Sequence, residues 1–251
     1  MEKIPKHTLL SLMAMAVVIG VLSGLLVQIL PAAIVRMQPL PLPQSQGNMI
    51  LLNRRRFNPA QDAQKFDTEK DSTYVYTHRE LDLNRTALIL IDVWGYDPND
   101  GFSQRATIHR QTKIVPLLAL ARKHNMEIIH APGGRAIAED SKPVPGEIVI
   151  ASQGVLGDTL QLDLFLKTHN ITTLLYAGYA SNLCVLNRPT GIIKMSELGY
   201  NIVLIRDATL AFETPESLEG EWANVMAITM VEQLWGESTT IDDLRSALEG
   251  D

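Results

Sequence analysis

The sequence predicts an α/β protein in which helices cover both faces of a doubly wound parallel sheet, a three-layer arrangement. Two observations carry this. Short continuous apolar runs recur from residue 87 onward, as expected of strands buried on both faces. Between them lie segments with helical spacing of apolar residues, and strands that alternate with helices imply a parallel sheet. At 251 residues the chain accommodates one such domain and an accessory segment, whereas two full domains would be cramped.

The first regular strand is Ala87-Leu88-Ile89-Leu90-Ile91, and it ends at Asp92. Ile108, Val115, Leu118, Ala119 and Ala121 then repeat at helical spacing, with Pro116 predicting either a kink or a helix start. The second and third strands are Glu127 to His130 and Glu147 to Ile150. Asp158 is placed to cap a helix through Leu162, Phe165 and Leu166 that Asn170 closes. Thr173 to Ala177 forms the fourth strand, followed after a loop by a helix from about Val185 to Leu198. The fifth strand, Asn201 to Ile205, precedes a long amphipathic helix over about Ser217 to Leu234. Upstream, Met49 to Leu52 and Tyr74 to Tyr76 read as short edge strands, so residues 49–83 are an edge extension of a domain spanning 49–251.

The N-terminus has a different character. Leu9 to Leu30 is apolar apart from Ser, Gly and Gln28, and its length reaches the roughly 20 residues that a bilayer span requires. Residues 1–36 are therefore expected to be a hydrophobic membrane anchor or signal segment, with the membrane as a partner. Pro31-Ala32-Ala33-Ile34 is a poor cleavage site, which favours an uncleaved anchor. Lys3 and Lys6 argue for an exported domain and Arg36 against it, so the expected location is membrane-anchored by a single span, or exported, on either side. Pro39, Pro41 and Pro43 mark residues 37–48 as a Pro-rich linker.

A net charge of -6 argues against nucleic-acid binding, which needs clustered cations. Arg54-Arg55-Arg56 is the one dense basic run, and it reads as a solvated strand end or a headgroup contact. A single cysteine excludes an internal disulfide framework and a Cys-rich zinc site, so Cys184 needs its own explanation.

In doubly wound sheets, ligands bind beyond the carboxyl ends of the strands where the strand order reverses. With a strand order of 3-2-1-4-5, Asp92 after the first strand and Cys184 after the fourth share that crevice. Cys184 also stands at the start of a predicted helix, where free N–H groups would lower a thiol pKa and bind an oxyanion.

The segments Ile91-Asp92, Ile129-His130-Ala131-Pro132, Gly178-Tyr179-Ala180-Ser181-Asn182-Leu183-Cys184-Val185, Leu198-Gly199-Tyr200 and Arg206-Asp207-Ala208-Thr209 resemble, in order and spacing, the isochorismatase-like cysteine hydrolases over about Ala87 to Leu248. The resemblance implies a parallel sheet of about six strands and a catalytic Asp, Lys and Cys. It makes Cys184 a nucleophile and Asp92 its base. It also implies a cis peptide between Tyr179 and Ala180, which would aim the N–H groups of Ala180 and Cys184 at an oxyanion. Association into homo-oligomers is common among such proteins and is an open expectation here.

The sequence departs from that pattern after the third strand, where Ala151-Ser152-Gln153-Gly154 contains no lysine. Ala131-Pro132-Gly133-Gly134-Arg135 likewise lacks the Asp and His that a metal-dependent nicotinamidase would carry, so no metal and no cofactor are expected. Candidate substrate-binding residues are Trp94 as an aromatic wall, His130, Gln153 and Tyr179. His130 reads equally as a strand-end histidine bonded within the fold. Arg135 reads as a solvated arginine or a carboxylate contact, and Asn182 and Arg188 as braces of the nucleophile loop. The sequence thus points to a hydrolase cleaving a C–N bond of a small amide or carbamoyl substrate through a thioester. The alternative is a catalytically silent binding domain that lost the lysine.

Overall fold

A computed structural model describes residues 48–58, 73–95, 97–152 and 156–250. Strand β3 (Thr86–Ile91) is buried at all six positions, and β6 (Thr173–Tyr179) at all seven. Alternate residues divide between two cores: Leu88, Leu90, Leu175 and Ala177 on one face, and Ala87, Ile89, Ile91, Leu174 and Tyr176 on the other. This period of two, apolar on both sides, is what a centrally placed parallel strand requires.

β3 pairs parallel with β4 (Glu127–Ala131) on one side and with β6 on the other, and β5 (Ile148–Val149) extends the sheet beyond β4. Beyond β6 follow β7 (Asn201–Leu210) and β8 (Gly236–Thr239), both parallel. The order β5-β4-β3-β6-β7-β8 puts the reversal between β3 and β6, as the sequence predicted. Among the described residues the sheet has eight strands rather than about six. A hairpin of β1 (Met49–Asn58) and β2 (Thr73–Asp82) adds antiparallel to the edge at Arg55↔Ser238.

Helix α1 (Gly101–His109) starts earlier than the spacing suggested, because Asp100 Oδ1 accepts from Phe102 N at 3.0 Å. A π-turn (Arg110–Ile114) joins it to α2 (Val115–Lys123). Pro116, which has no N–H and crowds the preceding turn, explains the irregularity immediately before it. α3 (Leu156–Thr168) includes Asp158 in its first turn rather than at its cap. The expected helix from Val185 to Leu198 is two short ones, α4 (Cys184–Asn187) and α5 (Ile192–Glu197). Pro189 disfavours helical geometry at the residue before it, and Arg188 is extended at φ −60°, ψ 155°. α6 (Trp222–Leu234) and α7 (Ile241–Glu249) complete the layers. Glu213 accepts from the N–H groups of Ala223 and Asn224 and so closes the N-terminus of α6.

The expectation of a single N-terminal membrane span, with the membrane as partner and a membrane-anchored or exported location, is corrected. Among the described residues no helix is long and apolar enough to cross a membrane. The longest helical run, residues 101–123, carries Arg105, Arg110, Lys113, Arg122 and Lys123, and the next longest have 13 residues, about 20 Å at 1.5 Å per residue. Length and hydropathy in a sequence are necessary for a span but do not make one. The residues behind that expectation, 1–36, and the Pro-rich stretch up to 47 lie outside the described residues.

Candidate active site

The β3 strand delivers Asp92 to the reversal point and then turns sharply. Asp92 sits at φ +50°, in the left-handed region that a non-glycine residue rarely adopts. Its backbone is tied on both sides: Asp92 N donates to Ala131 O at 3.3 Å, and Trp94 N donates to Asp92 O at 2.9 Å. The carboxylate is 2 % exposed. Its Oδ1 accepts from Gly133 N, and its Oδ2 accepts from Arg188 Nε at 3.2 Å and Nη2 at 3.1 Å. Arg188 Nη2 also donates to Gly133 O at 3.3 Å. The guanidinium therefore clamps the ends of β3 and β4 together.

Two glycines make this approach possible. A Cβ on Gly133 would lie 2.0 Å from Arg188 Nη2 and 2.6 Å from Asp92 Oδ1. A Cβ on Gly178, at φ +114°, would lie 2.0 Å from Ile91 O, so only glycine lets β6 run this close to the end of β3.

Cys184, half-buried, lies against both charges of the pair and under the N–H of Ala180. Burial pushes its thiol above the ordinary value, and the Asp92 carboxylate pushes it further. Arg188 and the Ala180 N–H pull the other way without reversing the outcome. The expected depressed thiol is thus corrected: α4 has four residues, too short a run of aligned peptides to offset desolvation and an adjacent carboxylate. The peptide between Tyr179 and Ala180 is cis.

These groups open into one cavity of about 220 Å³, lined by Asp92, Gly133, Cys184 and Arg188, with Trp94, Phe212 and Arg135 around them. Trp94 is 7 % exposed, packs against Phe102 and Tyr179, and has the Arg135 guanidinium 5.2 Å from its ring centroid. Asn182 braces the Phe212 side, donating to Phe212 O at 3.0 Å and accepting from Phe212 N at 3.1 Å.

A family model described as the isochorismatase domain matches residues 127–242. The chain carries an isochorismatase-family domain. Its fold is similar to that of a cysteine hydrolase from Pseudomonas syringae pv. phaseolicola (18% identity, TM-score 0.56, covering 68% of this chain and 95% of the other). It is also similar to an isochorismatase-family protein from Chromobacterium violaceum (19% identity, TM-score 0.53, covering 67% and 95%). No curated protein matches the chain.

Within the isochorismatase-family domain, two further predicted residues, His130 and Tyr179, do not line the cavity. His130 is buried and pairs through Nε2 with Glu147 Oε2 at 2.8 Å; Arg122 Nε donates to the same carboxylate at 2.7 Å. Burial lowers the pKa of His130, while Glu147, held by Arg122, His130 and the N–H of Val144 against its own desolvation, is lowered to about 2. His130 is thus a bonded strand-end histidine rather than a pocket wall. Tyr179 is fully buried, and its hydroxyl lies 2.9 Å from His109 Nδ1. His109, pushed down to about 4 by burial, is neutral at pH 7. That leaves Nδ1 to accept from the tyrosine and Nε2 to donate to Asp207 O at 3.1 Å. Tyr179 therefore anchors the chain before Ala180 and does not line that cavity. Gln153 lies outside the described residues.

Arg188 is the residue that sequence reasoning undervalued. Ser152, after β5, does not carry the charge that the resemblance placed there. Its hydroxyl instead meets Thr190 Oγ1 at 2.7 Å, while Tyr176 donates to Thr190 O and Thr159 to Pro189 O, both at 2.8 Å. Those three bonds fix the segment that turns Arg188 back onto Asp92. The only signal in the sequence was Pro189 directly after an arginine four residues beyond the cysteine.

Proposed function

We propose that the domain hydrolyses a C–N bond of a small amide or carbamoyl compound, with Cys184 as nucleophile, Asp92 as proton carrier and Arg188 as the fixed cation. The observation behind this reading is the shared cavity: thiol, carboxylate and guanidinium line one space, with the N–H of Ala180 directed at the sulfur.

The raised thiol pKa means that the nucleophile rests as a thiol and needs a base at the moment of attack. Sγ attacks the carbonyl carbon as the proton passes to Asp92. The N–H groups of Ala180 and Cys184 stabilise the oxyanion. Collapse breaks the C–N bond, and the departing nitrogen takes the proton from Asp92, leaving a thioester. Water then attacks the thioester carbon and gives a proton to Asp92; the C–S bond breaks, and Sγ recovers that proton. Amide and water become acid and amine, and the enzyme ends as it began. A guanidinium stays protonated throughout, so Arg188 orients Asp92 and balances its charge without exchanging a proton.

The test is turnover of a panel of small primary amides and N-carbamoyl compounds by the full chain and by Cys184→Ala and Asp92→Asn. Hydrolysis lost in Cys184→Ala and reduced about 10²- to 10⁴-fold in Asp92→Asn supports the proposal. Unchanged rates in both variants, or no turnover of any compound, would refute it.

A further inference from the structure

A second cavity, of about 390 Å³, lies at the opposite end of the sheet from Cys184, where β7 and β8 begin. It is lined by Arg54 and Arg56 of β1, Arg79 of β2, Asn201 of β7, Glu232 of α6 and Glu237 of β8, among others. The arginine triplet of the sequence is therefore not simply a solvated strand end. Arg54 is 7 % exposed, and Arg55 reaches Glu232.

The charges here do not balance. Four guanidinium groups, those of Arg54, Arg55, Arg56 and Arg79, meet two carboxylates. Glu232, fully buried, is taken by Arg55 at 2.8 Å. Glu237 is shared between Arg54 at 3.2 Å and Arg79 at 2.9 Å. Among the described residues two positive charges are left over, and Arg56 makes no ion pair. A buried donor, Arg54 Nε, also has no hydrogen-bond partner among the described residues. Buried donors and acceptors are nearly always satisfied, and unmatched charge disfavours the folded state. A cluster whose only task was to pin the hairpin to the sheet would need no cation beyond its carboxylates.

We infer that this cavity binds a small phosphate compound, either free phosphate or a soluble phosphate monoester. A phosphate monoester carries about −1.5 to −2 charge at pH 7, which matches the two surplus cations, whereas a single carboxylate leaves one unmatched. Guanidinium forks on adjacent strands present paired N–H donors suited to phosphate oxygens. The site is remote from Cys184 and makes no demand on the hydrolytic chemistry.

The experiment is calorimetric titration of inorganic phosphate, and separately glycerol phosphate, into the full chain at fixed ionic strength in chloride. Saturable one-to-one binding is expected, weakened at least tenfold in Arg56→Gln and in Arg79→Gln and unchanged in Arg135→Gln at the other cavity. Arg56 and Arg79 are both exposed, so these variants should fold, which thermal unfolding checks. Heat that does not saturate, or binding retained in both variants, would overturn the inference. So would attachment to phosphatidic-acid vesicles by a protein that binds neither soluble phosphate.

Discussion

Replacing Arg188 with Met removes the cation and keeps an apolar side chain of similar length. At 3.1 Å and an effective dielectric of about 20, the guanidinium and the Asp92 carboxylate attract by roughly 5 kcal/mol. Asp92 is 2 % exposed, so deleting its partner leaves a buried carboxylate held only by Gly133 N and the Cys184 thiol among the described residues. Losing one partner of a buried pair costs about 3–5 kcal/mol. Arg188 is itself a quarter exposed and partly screened, which brings the expected loss to about 2–3 kcal/mol. Urea denaturation of the wild type, Arg188→Met, Asp92→Asn and the double variant measures it. The double variant should be more stable than the sum of the single losses implies, because the second change removes the charge that the first left stranded. Turnover should fall about 10²-fold in Arg188→Met, with part regained in Arg188→Lys, which restores the charge without the fork. Additive losses in the cycle, or an Arg188→Met variant within about 0.5 kcal/mol of the wild type, would refute the reasoning.

Gly133→Ala places a methyl group 2.0 Å from Arg188 Nη2; hydrolysis should drop steeply and stability should fall by about 1–3 kcal/mol, as denaturation and turnover together would show. Alkylation of Cys184 by iodoacetamide should follow a pH midpoint above that of a free thiol, about 8.5, and a midpoint below it would contradict the role of burial and Asp92. Glu147, lowered to about 2 in the folded state, contributes stability that is present above its unfolded value of 4.5 and lost as pH falls through about 2. Wild type and Glu147→Gln should therefore differ most at neutral pH and converge near pH 2 in acid-unfolding curves; a constant difference would count against the Arg122–Glu147–His130 cluster.

The parallel core was legible because β3 and β6 are buried on both faces, and such strands must be apolar at every position. The hairpin of β1 and β2 was harder to read. Arg54 and Arg55 pair with Glu237 and Glu232, nearly two hundred residues away, which local patterning does not register. β8, Gly236-Glu237-Ser238-Thr239, is short and polar and carries no strand signal at all. At the site, Asp92 and Cys184 were legible because each follows a strand that the pattern marks clearly. Arg188 was not, since its role depends on Pro189 ending the helix and on Ser152, Tyr176 and Thr159 holding the next turn. His130 and Tyr179 sit beside the site in sequence, but Glu147 and His109, distant along the chain, draw their polar atoms elsewhere. The apolar N-terminal run lies outside the described residues, among which no helix is long and apolar enough to cross a membrane.

The claim that Cys184 forms a covalent intermediate is tested most directly by acid-quenching turnover of a small amide and mapping the protein by mass spectrometry. The account predicts an acyl adduct on the peptide containing Cys184, present during turnover, gone when substrate is exhausted, and absent in Cys184→Ala together with the activity. Steady hydrolysis with no adduct on that peptide, and persisting in Cys184→Ala, would contradict it.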